Sequence, residues 1–69
     1  MYTMFIARNA SGSYHYSTED FMKAWERFET YAEDFPIAHL KGLKDGKWML
    51  LAESEHGIIF PKKGFVLPF

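Results

Sequence analysis

The residues best suited to proton transfer or metal binding in this chain are three histidines, His15, His39 and His56, because imidazole is the side chain that titrates near neutral pH. They fall in different stretches and form no His-x-x-His or His-Glu-x-x-His pair. The one local cluster is Glu53-Ser54-Glu55-His56. Carboxylates two apart beside an imidazole can hold a divalent ion on an extended backbone, but in a solvated loop they hold nothing. The loop is the reading adopted, and no metal site is expected. The chain has no cysteine, which removes a thiol nucleophile, a thiolate metal site and any disulfide. No glycine-rich phosphate loop is present. Serine, histidine and acid are all available for a hydrolytic triad, yet 69 residues leave little room for both a core and a pocket of roughly 300 Å³ or more. The expectation is a non-enzymatic chain with no catalytic residues and no cofactor.

The remaining chemistry is that of surfaces, so the elements that would position them come next. Sixty-nine residues make one domain, 1–69, near the size at which a single core only just offsets chain entropy. With no disulfide, packing must hold it, and seven Phe, four Tyr and two Trp supply the apolar area. Tyr2 to Arg8 (YTMFIAR) is β-prone and is bounded by the loop-forming Asn-Ala-Ser-Gly-Ser. Ser17 or Thr18 can then cap a helix, with Asp20 completing a variant capping box. Phe21, Trp25, Phe28, Ala32 and Phe35 recur at alternating steps of four and three, and Pro36 stops the run. With Ala24 and Tyr31 they fall in an arc of roughly 120°, a stripe that faces a core.

After the helix, IAHLKGL and KWMLLAE flank Lys44-Asp45-Gly46, and Asp-Gly is a strong signal for a two-residue hairpin turn. Two last apolar runs, IIF and FVL, surround Pro61-Lys62-Lys63-Gly64, which has the chemistry of a second turn. The fold class expected is α+β: β-α-β-β plus a short C-terminal hairpin, with one helix packed on one face of a small, mostly antiparallel sheet. The other sheet face is left for solvent or for a partner. With Asp45-Gly46 as the turn, Ile37, His39, Lys41, Leu43, Trp48, Leu50 and Ala52 share one face, and Ala38, Leu40, Met49 and Leu51 share the other. A one-residue bulge would exchange the two.

Two surfaces are candidates for binding. The first is the sheet face and tail: His39, Lys41, Trp48, Leu50, Lys62, Lys63 and Phe69, a large ring with aliphatic support and cations. The competing reading is that the C-terminal hairpin folds over this face and buries Trp48. The second is an acidic helix ridge of Glu19, Glu26, Glu29 and Glu33, with Met22 among them. Acids outnumber bases six to two in residues 17–35, against a net charge of −1 for the whole chain. Glu33 and Asp34 also fall in the last helical turn, where the macrodipole favours cations. Lys62 or Lys63 can compensate from within, or a basic surface on a partner can.

Three classes of function follow. The first is a protein-binding module that modulates or inhibits a larger protein, one with a basic, nucleic-acid-processing surface in the sharpest form. The second is a nucleic-acid-binding module built from Lys41, Lys44, Lys47, Lys62 and Lys63 beside Trp48, Phe60 and Phe65, although the overall charge is not basic. The third is a self-associating subunit of a homo-oligomer with self-complementary apolar surfaces. No stretch approaches the roughly 18 apolar residues of a membrane span, and the N-terminal residues lack a signal-peptide pattern, so the expectation is a cytoplasmic protein without a membrane partner. In size, in βαββ order and in lacking a catalytic constellation, the chain resembles in general form the small proteins with which phages and mobile elements disable host machinery. That resemblance implies a protein inhibitor.

Overall fold

The structure is a computed structural model that describes residues 1–64. Its elements run β1 (Met4–Asn9), β2 (His15–Thr18), α1 (Phe21–Asp34), β3 (Ile37–Lys44), β4 (Lys47–Glu55) and β5 (Ile58–Pro61). The strands form one antiparallel sheet in the order β2-β1-β3-β4-β5, and α1 packs on one of its faces against β1, β3 and β2. This is the α+β class expected, with β2 as an additional strand ahead of the helix.

That strand moves the start of the helix. Because His15–Thr18 pairs with β1 from Arg8 back to Phe5, Ser17 and Thr18 are extended and neither caps the helix. The cap is Asp20, in an extended conformation, whose Oδ1 accepts the backbone N–H of Met22 at 2.9 Å. Thr18 Oγ1 in turn accepts the N–H of Asp20 at 3.1 Å, which fixes the entry of the chain into the helix. At the other end, Phe35 is extended and its N–H bonds the carbonyl of Tyr31 at 2.9 Å. Pro36 then prevents continuation.

The apolar stripe of the helix does what its spacing requires. Ala24, Trp25, Phe28, Tyr31 and Ala32 are buried against Phe5 and Ala7 of β1, Ala38 and Leu40 of β3, and Leu51 and Ala52 of β4. The rings meet mostly edge to face or tilted, as in Phe5 with Phe21 at 5.2 Å and Trp25 with Phe28 at 5.4 Å between centroids. Gly42 makes room for this layer: a Cβ there would lie 2.7 Å from the Tyr2 ring and 2.9 Å from a methyl of Leu51.

Both β3–β4 and β4–β5 are joined by two-residue turns with positive φ at each position. Asp45 and Gly46 have φ of 52° and 76°, and His56 and Gly57 have 50° and 83°. The first is the hairpin expected from Asp-Gly. The second places IIF, the first arm of the expected C-terminal hairpin, as β5 directly against β4. The chain then continues beside β4, where the N–H of Lys62 bonds the carbonyl of Leu51 at 2.8 Å, and turns at Lys63-Gly64. The strand expected at Phe65–Leu67 and the terminal ring of Phe69 lie outside the described residues.

One irregularity decides what the sheet displays. Leu40 of β3 pairs with Ala52 while Lys41 pairs with Leu50, so Leu51 is an extra residue in β4. Leu51 and Ala52 both turn toward the helix side and are buried. Ala52 is therefore not on the face with Trp48 and Leu50, as regular alternation would have it. Glu53 takes the outward position instead, opposite His39.

Candidate binding face

The sheet has one face under the helix and one that no element among the described residues covers. On β1 the inward residues are Phe5, Ala7 and Asn9, which leaves Met4, Ile6 and Arg8 outward. The registers then arrange the outward residues in cross-strand rows. Met4, Leu43 and Trp48 form the first row, and Ser17, Ile6, Lys41 and Leu50 the second. His15, Arg8, His39, Glu53 and Phe60 form the third, and Ile37, Glu55 and Ile58 the fourth. Rows one and two make an apolar end crossed by one lysine, and row three carries the charge.

Several of these side chains are exposed to an extent that a folded monomer does not need. Trp48 is 47% exposed, Phe60 49% and Ile58 60%, all on this one face. Single exposed apolar residues are ordinary, but Trp48 stands among the half-buried Met4, Leu43, Ile6 and Leu50, which makes that end of the face an apolar patch of the kind that marks a contact surface. In the third row, His39 Nε2 lies 3.9 Å from Glu53 Oε2. Burial holds the His39 pKa below its ordinary value; Glu53 opposes that shift, while Lys41 and Arg8 reinforce it. His39 is therefore an uncharged, partly buried ring among fixed charges near neutral pH.

Of the sheet residues expected to bind, the structure brings His39, Lys41, Trp48 and Leu50 onto one face, and Trp48 is not buried by a hairpin arm among the described residues. Lys62 and Lys63 follow β5 outside the sheet, and Phe69 lies outside the described residues. The face also contains Met4, Ile6, Arg8, His15, Glu53 and Phe60, which the sequence reading did not assign. Alternation within YTMFIAR was the available signal for the first three.

The acidic ridge is shorter than expected. Met22, Glu26, Glu29 and Glu33 lie exposed on α1, but Glu19 precedes the cap and is not part of the helix. The opposite edge of the helix packs on β2, where the Arg27 guanidinium sits 4.4 Å over the Tyr16 ring. Among the described residues no ion pair joins Lys62 or Lys63 to Glu33 or Asp34.

The lysines do not gather into a polyanion site. Lys41 is on the open face, but Lys44 pairs with Lys47 on the helix side, where the Lys44 ammonium lies 5.9 Å from the Tyr2 ring centroid. Glu53 and Glu55 also occupy the open face, where a phosphate backbone would meet them. The Glu53-Ser54-Glu55-His56 cluster is not the loop expected, because Glu53 to Glu55 are the extended end of β4; among the described residues no three His, Cys, Asp or Glu side chains are grouped to hold a metal ion. The two acids of the cluster face outward, Ser54 is buried on the helix side and His56 is in the turn. Among the described residues no helix is long and apolar enough to cross a membrane.

The chain is thus a one-helix, five-stranded antiparallel α+β protein with one sheet face that no element among the described residues covers. No family model, curated protein or solved structure matches it.

Proposed function

We propose that this chain is a non-enzymatic protein-binding module acting in the cytoplasm, and that its contact surface is the open face of the sheet. The observation that carries this reading is the apolar end of this face, where Trp48 is exposed beside the half-buried Met4, Leu43, Ile6 and Leu50, bordered by Arg8, Lys41 and Glu53. A tryptophan with aliphatic support inside a polar border is the composition of a binding hot spot. The partner class is a larger protein whose activity the module modulates or inhibits. The separation of Lys44 and Lys47 from Trp48, together with Glu53 and Glu55 on the face, favours protein over nucleic acid.

Affinity capture from the native host's lysate, with nuclease present, tests the reading. The wild type is expected to retain a stoichiometric protein band and Trp48→Ala to lose it, with both proteins giving the same far-UV circular dichroism. Equal capture by the folded Trp48→Ala protein would overturn it.

A further inference from the structure

We infer that the open sheet face also accepts a second copy of this chain, packed face to face about a two-fold axis that runs along β3. The inference rests on the reading of this face as a protein-binding surface and names one partner for it. Its basis is the distribution of charge and shape across the sheet. β3 is the central strand of β2-β1-β3-β4-β5, so a two-fold axis along it sets β1 of one copy over β4 of the other. Sheets that stack this way keep their strands within about 30° of each other. The cross-strand registers then determine which rows meet.

The outward residues of β1 and β4 are complementary row by row. In the first row Met4 meets Trp48, and in the second Ile6 meets Leu50. In the third the cation Arg8 meets the anion Glu53. Each contact occurs twice, because residue i meets j and j meets i. On the axis Leu43 packs on its own copy, as does His39, whose ring is held uncharged near neutral pH by burial. Lys41 also lies on the axis, and its four-carbon stem can lead the ammonium out along the face while covering Ile6 and Leu50. The bulge at Leu51 is what makes the third row work, since without it Ala52 would occupy the outward position and Glu53 would point into the core.

The available area sets the strength. From strand spacing and rise, the five strands present a face on the order of 500 Å² in projection. Side-chain relief raises the accessible area toward, but not beyond, the roughly 800 Å² that each partner gives to a standard interface. A reversible, concentration-dependent dimer follows, which a larger protein could displace.

Light scattering and sedimentation across a concentration series test this, using the full chain. The wild type is expected to approach twice its 8.1 kDa mass as concentration rises. Arg8→Glu and Glu53→Arg each place two like-charge pairs in the interface, and each should weaken self-association by about tenfold or more. An equimolar mixture of the two variants should regain it, because in the mixed dimer every Glu faces an Arg. Circular dichroism on each variant checks that both are folded, and the mixture cannot be rescued by an unfolded component. A wild type that stays monomeric throughout, single variants that associate unchanged, or a mixture that stays monomeric would each overturn the inference. Monomeric wild type that binds a labelled single-stranded oligonucleotide, with binding lost in Trp48→Ala, overturns it in favour of nucleic acid. If the wild type is monomeric but Trp48→Ala still abolishes capture from lysate, the dimer fails alone; if capture is also unaffected, the protein-binding reading fails with it.

Discussion

Deleting one leucine from Leu50-Leu51 tests the bulge that builds the binding face. The two residues are identical, so removing either gives the same chain. The remaining leucine takes the outward place of Leu50 opposite Lys41, and Ala52 still pairs with Leu40, so Glu53 stays outward. What is lost is the side chain of Leu51, which is 1% exposed. Removal of a buried leucine side chain costs roughly 2–5 kcal/mol. A chain of this length has a total stability of about 3–10 kcal/mol, so the deletion should weaken the protein without changing its fold, by about as much as Leu51→Ala. If β4 instead alternated regularly from Trp48, Glu53 and Glu55 would face the core in the wild type and the deletion would turn them outward, so relief of two buried carboxylates would make the deletion variant far more stable than Leu51→Ala. The assay is urea unfolding followed by tryptophan fluorescence, comparing midpoint and slope. Comparable midpoints and equal slopes for the deletion and Leu51→Ala are expected. A deletion variant with a midpoint well above that of Leu51→Ala would refute the bulge.

Three further outcomes follow from named side chains. The Ser54 hydroxyl is buried with no hydrogen-bond partner among the described residues, so Ser54→Ala should raise stability by about 1 kcal/mol, read as a rise of roughly 4–8 °C in Tm. Gly42→Ala should lower stability by about 1–3 kcal/mol, since the new methyl must displace the Tyr2 ring and Leu51; calorimetry gives the value. His39 has a folded pKa below its unfolded value of 6.5, so as pH falls through 6.5 the unfolded state takes up a proton that the folded state resists. Stability should fall over that window and level off below the folded pKa, and His39→Asn should flatten the profile in urea titrations between pH 7.5 and 5.

The helix and the first hairpin were legible because each rests on a local rule. The Phe21, Trp25, Phe28, Ala32 spacing has one solution on a helix, and Asp45-Gly46 has one on a tight hairpin. β2 was not legible: His15–Thr18 is four residues at a sheet edge, with no inward apolar run, and it exists because β1 offers a partner. That strand in turn took Ser17 and Thr18 from the cap and removed Glu19 from the ridge. The bulge left no trace, since Leu50 and Leu51 are the same residue with opposite fates. His56-Gly57 carried the same turn signal as Asp45-Gly46, weakened because histidine adopts positive φ less readily than aspartate. Half of the open face was legible from β3 and β4, and the rest depended on knowing that β1 lies beside β3, a pairing about 35 residues apart in sequence.

The central claim is that partners touch the sheet face and not the helix. Site-specific photo-crosslinking in cells measures this directly, with a photoreactive amino acid placed in turn at Trp48, Leu50 and Glu29. Protein adducts from positions 48 and 50 and none from position 29 are expected. Adducts from position 29 alone would contradict the account and move the contact surface to the acidic edge of the helix.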